Sequence, residues 1–439
     1  MSATGTSLDV TRELLAICGE GNVSEEEAGA HRVIQGSWRT IPVVKPGSAE
    51  EVAAILQFAN SHGLGIVPEG GLTTRGFRKS ECIVLQTSRL TALEHYDHAD
   101  LTVGVGAGTT VAQLNTMVGA DQLLFGCDPP LSERATVGGV LATASHGPLR
   151  HGYGALRDYC IGIRFVTGDG RRAKGGGRVV KNVAGYDLMK LLIGSNGTLA
   201  VITSASFKLF PAPRQTRTFL AEFTTVQEAL EFRDRVMRSP LSPMCLEIVS
   251  PGARKLIRPE MASNAWVICV RGAGSDAVLA RYRKELGSAV ARELENEDER
   301  RLWRAVENYP AAPDRADEVS WIMFASMQPR IQINVPPSDV IHVVETLNEV
   351  ASYGHVGVGF IGRIGVGHVL AVAEPVHVEI PWPPGVVIDA LHEKLGANVS
   401  VRVEASTNPW PTPLANRDSM RAVKRALDPN DVLHGREIF

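Results

Sequence analysis

The sequence is poor in the features that mark several large protein classes. Only six of its 439 residues are cysteine (Cys18, Cys82, Cys127, Cys160, Cys245 and Cys269). None of them is spaced C-x-x-C. That speaks against a zinc ribbon or an iron–sulfur cluster, and a disulfide framework does not suit so long a chain. The formal net charge is −3, so no basic excess favours nucleic acid or an anionic membrane. No run of about 18 apolar residues occurs. The longest candidate, "GHVGVGFIGRIGVGHVLAV", is broken by Arg363 and His368 and reads as strands. The opening "MSATGTSLDVTRELL" has neither the basic flank nor the apolar core of a secretory leader. Low-complexity segments are also missing. The expectation is a cytoplasmic protein without a membrane span.

What is present is globular: 44% apolar and 21% charged residues. The length implies roughly two to four domains. Around 43–62, Pro46-Gly47 punctuates the chain before Ser48, and Glu51 three residues later makes a capping box. Val52, Ile55, Leu56 and Ala59 then share one helical face. The runs "LGIVPEGG", "CIVLQTS" and "LTVGVGAG" read as short strands, with a helix from near Thr109. After "PAPR" the texture changes. "TFLAEFTTVQEALEFRDRVMRS" reads strand then helix, with Thr225 and Glu228 as a second capping box. "MCLEIVS", "AWVICVRG" and a helix from Ser275 complete a β-α-β-β-α order. "PRIQINV", the helix from 338, "HVGVGFIGRI", "GHVLAVAEP", a helix near 385–395 and "NVSVRVEA" repeat that order. Two such halves predict an antiparallel sheet of ferredoxin-like units. The charge run at 290–308 between them reads as a solvated helix.

"LTVGVGAGTT" invites a dinucleotide-binding reading and fails it. The fingerprint G-x-G-x-x-G must open a helix and be followed about 20 residues on by an acid. Thr109 stands at the sixth position, Gly108 comes one place early, and the acid's place is taken by "FGCDPPLSE". The stretch reads as a strand ending in a tight turn.

Three other stretches carry the cofactor signal. In "PEGGLTTRG", Gly70 and Gly71 let backbone N–H groups converge on an anion, and Thr73 and Thr74 add hydroxyls. "CDPPLSERATVGGVLATASHGPLRHGYGALRDYCIGIRFVTGDG" and "GGGRVVKNVAGYDLMKLLIGSNGTLAVITSASFKLFPAP" follow. In this order they resemble the FAD-binding domain of the vanillyl-alcohol oxidase (PCMH-type) superfamily, and most nearly the E-type FAD-binding subunits of bacterial glycolate oxidases. The resemblance is dense over 36–213, thin beyond, and returns at "MRAVKRALDPNDVLHGREIF".

The resemblance implies an α+β flavoprotein. A helical segment would cover 1–35, an FAD-binding domain of two subdomains 36–213, and a ferredoxin-like cap 214–405. Residues 406–439 would return to the FAD domain. Glu69, Gly70, Gly71, Leu72, Thr73 and Thr74 would line the diphosphate, although the related pattern P-x-G-x-G-T/S has glycine where Leu72 stands. Thr136, Gly138, Gly139, Ser145, His146 and Gly147 would form a second wall, and Ile202 the strand that reads the adenine. With no histidine at 68–76, the FAD is expected to be bound non-covalently. The chemistry implied is hydride transfer from a small 2-hydroxy acid. Arg363 and Arg402 would clamp the carboxylate, His368 would act as base, and Tyr186 would lie near the flavin ring. Partners implied are a second flavoprotein subunit and an iron–sulfur subunit. The alternative is a non-catalytic or flavin-free scaffold subunit of such a complex.

Other residues read as structural. Arg157 and Asp158 are expected to pair, and Asp187 to cap a helix burying Leu188, Leu191 and Leu192. "EHYDH" (His95, His98) is expected to be a solvated loop rather than a metal site, and Cys127 an inert buried thiol. Relatives that use a metal carry a histidine-rich motif in the cap domain. His355 and His368 are too isolated for that, so no metal is expected. The tail "DPNDVLHGRE" is one residue shorter than the related D-P-x-x-x-x-N-P-G-R and lacks its asparagine–proline pair.

Overall fold

A computed structural model describes residues 7–27, 33–35, 40–73, 78–79, 81–177, 187–257, 264–309, 330–353, 358–373, 384–404 and 416–433. Thr74, Tyr186, His355 and the last six residues lie outside this set. The chain forms two units: one from Met1–His146, Ala155–Ala212 and Leu414–Phe439, the other from Gly147–Gly154 and Pro213–Pro413. The octapeptide Gly147–Gly154 thus belongs to the second unit, although its sequence neighbours on both sides belong to the first.

The first unit begins with helix α1 (Ser7–Cys18). The N-terminal stretch is not helical throughout, because Val23–Glu27 (β1) pairs antiparallel with Thr40–Val44 (β2). Helix α2 (Ala49–His62) follows, then strands β3 (Gly65–Glu69) and β4 (Cys82–Gln86), giving a four-stranded sheet in the order β1-β2-β4-β3. The Ser48 hydroxyl accepts from Glu51 N, whereas the Glu51 carboxylate takes the N–H of Gly47 rather than that of Ser48. Val52, Ile55, Leu56 and Ala59 are the buried face of α2, as its spacing predicts.

A second sheet runs β8-β7-β9-β6-β5. Its strands are β5 (Leu93–Asp97), β6 (Thr102–Gly106), β7 (Cys160–Thr167), β8 (Arg172–Gly176) and β9 (Ala200–Lys208). The stretch "EHYDH" is therefore not a loop: His95 sits half-buried in β5, opposite Gly104. Helix α3 (Val111–Gly119) has a reciprocal box between Thr110 and Gln113, and α4 (Val137–Thr143) is capped by Thr136. Asp158 does not pair with Arg157; its carboxylate accepts from Ala155 N at the start of the turn Leu156–Tyr159. In the short helix Leu188–Leu192, Asp187 caps as expected, but the buried side chains are Met189 and Leu192, and Leu191 is exposed.

The second unit contains α5 (Arg150–Tyr153) and an eight-stranded antiparallel sheet. Its first half is β10 (Thr216–Phe223), α6 (Val226–Arg238), β11 (Cys245–Val249), β12 (Trp266–Ala273), α7 (Asp276–Leu286) and β13 (Val290–Leu294). The second half is β14 (Arg330–Asn334), α8 (Val340–Tyr353), β15 (Val358–Arg363), β16 (His368–Ala373), α9 (Pro384–Leu395) and β17 (Ser400–Glu404). The order β13-β10-β12-β11-β15-β16-β14-β17 is two βαββαβ halves joined edge to edge through β11 and β15. The 290–308 run is not one helix. Its first five residues are β13, an edge strand whose Arg292 is exposed and whose Glu293 pairs with Arg283 and Arg217, and the helix Asn296–Asn308 buries Glu299, Leu302, Trp303 and Val306.

Alternation gives this sheet two unlike faces. Leu246, Ile248, Ile331, Ile333, Phe360, Val369, Ala371, Val401 and Val403 form one core with Val226, Leu230, Val343, Leu347 and Leu391 of the helices. The residues between them along each strand point the other way, and several of those are charged.

Candidate active site

In the first unit, the predicted cofactor stretches converge. Gly71 presses on a carbonyl: a Cβ there would lie 1.6 Å from Arg134 O. A Cβ on Gly70 would lie 2.1 Å from Thr136 Oγ1. The 135–138 segment is zipped to the 107–111 turn, with Val137 N donating to Thr109 O, Gly138 N to Ala107 O and Val111 N to Ala135 O. The 194–198 turn closes the other side: Gly194 N donates to Leu141 O, Asn196 N to Ala142 O, and Gly197 lies beside Pro68. Loops from 68–73, 107–110, 134–146 and 194–198 thus make one cradle. "GVGAGTT" is part of its scaffold.

Gly138 has a packing reason, since its Cβ would meet Ala107 Cβ at 2.8 Å. Ser145 and His146 are half-buried, and the Cys127 thiol is aimed at Ser145 O. Ile202 lies opposite Phe165 in β7. On the other side of β9, pairing with β6 starts only at Ser204↔Gly106, so Ala200–Ile202 have no strand partner there among the described residues. A planar ring could hydrogen-bond to that edge.

Two observations test whether an extended anionic cofactor fits. The buried hydroxyls Thr109 Oγ1 and Ser195 Oγ have no hydrogen-bond partner among the described residues, and a buried polar group is rarely left so. The loops also hold three non-glycine residues in the left-handed region, Leu72 (φ 56), Ala144 (φ 51) and Asn196 (φ 54), and a fourth, Leu131 (φ 55), stands just before the 134 loop. Such strain gathers at binding sites. Thr109 and Ser195 were not flagged in the sequence, because an isolated hydroxyl beside a glycine turn carries no periodic signal.

Leu72 stands where the related pattern has glycine, and its backbone adopts a conformation that glycine holds without strain. Its side chain is 50% exposed, so burial returns little for the strain. Leu72→Gly is therefore expected to be tolerated and to stabilise. The left-handed penalty removed is about 1 kcal/mol, partly offset by the greater freedom of glycine in the unfolded chain. A rise in melting temperature of roughly 2 °C in differential scanning fluorimetry would bear this out; a fall would show that the leucine side chain makes a needed contact.

In the second unit, Glu247, Arg363 and His368 lie side by side across β11, β15 and β16 on the face opposite α6, α7, α8 and α9. Asn334 continues the row, and Gln332 pairs with Arg402 on β17. Arg363, His368, Arg402 and Glu247 are all buried. Arg363 Nη1 lies 3.0 Å from His368 Nδ1, and Arg363 Nε 3.8 Å from a Glu247 carboxylate oxygen. Helix α5 packs against β11. The ring of His151 occupies the space a side chain on Gly365 would need, in the β15–β16 turn. A cavity of about 410 Å³ opens at this end of the sheet, lined by His151, Tyr153, Val236, Leu241 and Met244 among others. Glu247 was overlooked in the sequence, although one acid inside the apolar run "MCLEIVS" is a usable signal. Arg150, close enough to depress the pKa of His368, was also missed.

His368 is held well below its ordinary value by burial, then by Arg363 and Arg150. The ring is therefore neutral near pH 7. An arginine can only donate, so Nδ1 accepts from Arg363 and the ring proton sits on Nε2. In this arrangement neither ring nitrogen is a free base. The sequence expectation of His368 as general base changes accordingly: it orients the guanidinium and can donate from Nε2.

His151 is also depressed, by burial. For both histidines the unfolded chain takes up a proton below about pH 6.5 that the fold refuses. Their contribution to stability is intact above that pH and lost as pH falls toward the folded pKa, by up to about 1.4 kcal/mol per unit per group. Chemical unfolding midpoints should therefore drop between about pH 7 and 5, and His368→Gln should flatten that slope. A slope unchanged by the substitution would mean His368 already takes up its proton in the fold.

Among the described residues, no three His, Cys, Asp or Glu side chains cluster as metal ligands, and no helix is long and apolar enough to cross a membrane. Residues 41–176 match the family described as FAD binding domain, and 212–374 match the C-terminal domain of FAD linked oxidases. A D-lactate dehydrogenase of Archaeoglobus fulgidus is 33% identical over 338 residues, 72% of this chain and 73% of that protein. The chain belongs to the FAD-linked oxidase family. Its cofactor is FAD, and it is an FAD-dependent oxidoreductase.

Glycolate oxidase subunit GlcD of Bacillus subtilis is 24% identical across 98% of this chain and 97% of its own length. Subunit GlcE of Escherichia coli is 35% identical over 153 residues, 34% of this chain and 44% of its own. The fold is that of the flavoprotein p-cresol methylhydroxylase, whose solved structure superposes with a TM-score of 0.71 at 14% identity, over 97% of this chain and 95% of that one.

Proposed function

We propose that this FAD-linked oxidase oxidises a small 2-hydroxy acid of the glycolate or lactate type. The observation that carries the reading is the buried Arg363–His368 pair on the polar face of the second unit's sheet. Bound FAD supplies a hydride acceptor at its flavin N5. The chain's own residues supply the rest. Arg363, its fork oriented by His368, binds the substrate carboxylate; Arg402 is the second cation on that face. Neutral His368 presents Nε2–H as a donor. Tyr186, in the stretch before Asp187, keeps its proposed place beside the flavin ring. Glu69 to Thr74, Thr136 to Gly139 and Ser145 to Gly147 hold FAD without a covalent link, and Ile202 lies on the adenine strand. The names of the relatives, a D-lactate dehydrogenase and glycolate oxidase subunits, support the substrate class.

A second reading has one observation in its favour. Because neither nitrogen of His368 is a free base, this chain can be the FAD-holding subunit of a glycolate-oxidase-type complex, with a second flavoprotein and an iron–sulfur subunit completing the reaction. All six cysteines are buried free thiols, which suits a reducing cytoplasm. The visible spectrum of the purified protein, before and after anaerobic glycolate or D-lactate, separates the two. Bleaching makes this chain the dehydrogenase. A flavin spectrum that does not bleach with any 2-hydroxy acid would overturn the first reading and favour the second.

A further inference from the structure

We infer that the C-terminal hook, residues 424–433, braces the FAD cradle, with Lys424 and Asp428 as the positioning residues that set FAD affinity. The reading rests on the cradle described above. The Lys424 ammonium donates to Thr198 O at 2.9 Å, to Leu433 O at 3.0 Å and to the Asp428 carboxylate. One side chain therefore ties the end of the 194–198 turn to the tail of the hook. The other end of the tie is strand β3, which leads into the diphosphate loop. Ile66 N donates to Val432 O at 2.7 Å, and Ile66 bridges Leu433 in parallel.

Asp428 holds the hook closed. It is 1% exposed, accepts from Val432 N and Leu433 N, and fills the space beside Gly168, where a Cβ would lie 2.1 Å from its Oδ1. Gly168 N donates back to Leu427 O, and Asn60 of α2 bonds both Gly168 O and the Asn430 side chain. Both walls meet again at Gly197, which lies against Pro68. The two segments the hook grips are thus the ones whose separation defines that side of the cradle. A loosened hook lets them part, and the cofactor loses preorganised contacts.

The test is FAD titration of apoprotein, followed by flavin fluorescence quenching, beside the melting temperature of the same apoprotein. Lys424→Met and Asp428→Asn are expected to raise the FAD dissociation constant at least about tenfold, the loss of one charge-assisted contact. Lys424→Arg should recover part of that. Val118→Ala, in a core position on α3, is the control: it lowers the melting temperature without touching the hook. If Lys424→Met does not fold, Gly168→Ala asks the same question by displacing Asp428. A dissociation constant that stays at the wild-type value, or that rises no more than in Val118→Ala at matched loss of stability, overturns the inference. Wild-type apoprotein that takes up no FAD would instead overturn the cradle itself.

Discussion

Arg363→Ala is expected to reduce kcat/KM for the 2-hydroxy acid some thirty- to a hundredfold, with most of the loss in KM. A hydrogen bond to a charged partner is worth about 1.5–3 kcal/mol, and each 1.36 kcal/mol is a decade in rate. The position justifies the upper part of that range. Arg363 is 5% exposed, so its guanidinium acts in a partly desolvated setting. Its neighbours hold it in place: His368 accepts from Nη1, and the Glu247 carboxylate lies near Nε. Arg363→Lys separates charge from shape. Lysine keeps the charge but loses the planar fork, so it should sit between wild type and alanine. His368→Asn tests the orienting role. A positioning residue should raise KM without introducing a new ionisation in the pH–rate profile, whereas loss of a general base would remove a limb of that profile. If Arg363→Ala bleaches with unchanged kinetics, the carboxylate is bound elsewhere and the polar face is not the substrate site.

How far the site could be read from the sequence varied with how local its signal was. Caps and amphipathic faces are set within four residues, and so α2 appears with its predicted buried positions and capping hydroxyl, and α6 with its predicted capping box. The two ferredoxin-like halves follow from the same alternation. Strand β13 was hidden because its edge position leaves charges on both sides of the pleat, which mimics a solvated helix. Helix α5 was assigned to the wrong unit for a different reason. "GPLRHGYG" is locally a glycine-bounded turn, and only tertiary contacts with Met244 and Gly365 place it. His368 was found by its residue type, but its role depends on which neighbour reaches Nδ1, and no spacing rule predicts a contact made across a hairpin. Leu72 is the reverse case. The departure from a glycine pattern is visible in the sequence, and the structure then shows what it costs, a left-handed leucine.

The cofactor cradle should depend most sharply on Gly71. Gly71→Ala is expected to give protein that folds but purifies almost without flavin, with FAD affinity reduced at least about a hundredfold. The reason is geometric. The added Cβ would stand 1.6 Å from the carbonyl oxygen of Arg134 and 2.5 Å from its carbon. Both are backbone atoms in a segment already committed. Arg134 and Ala135 donate to Leu131 O, Ala135 O accepts from Val111 N, and Val137 is zipped to Thr109. No flexible side chain can yield, so the 70–73 loop must move away from the 134–139 wall, and the cradle opens. Stability should suffer less than binding, because the loop lies at the end of β3 and Gly71 itself is half-exposed. Gly119→Ala is the matched control. Nothing lies within 4 Å of its added methyl, and it ends α3, so flavin content should stay at the wild-type level. The flavin-to-protein absorbance ratio after gel filtration, with the melting temperature, reads both effects at once. Full flavin content in Gly71→Ala would mean that the 70–73 loop does not hold the diphosphate. The hydroxyls of Thr109 and Ser195, without a partner among the described residues, would then mark the contact that does.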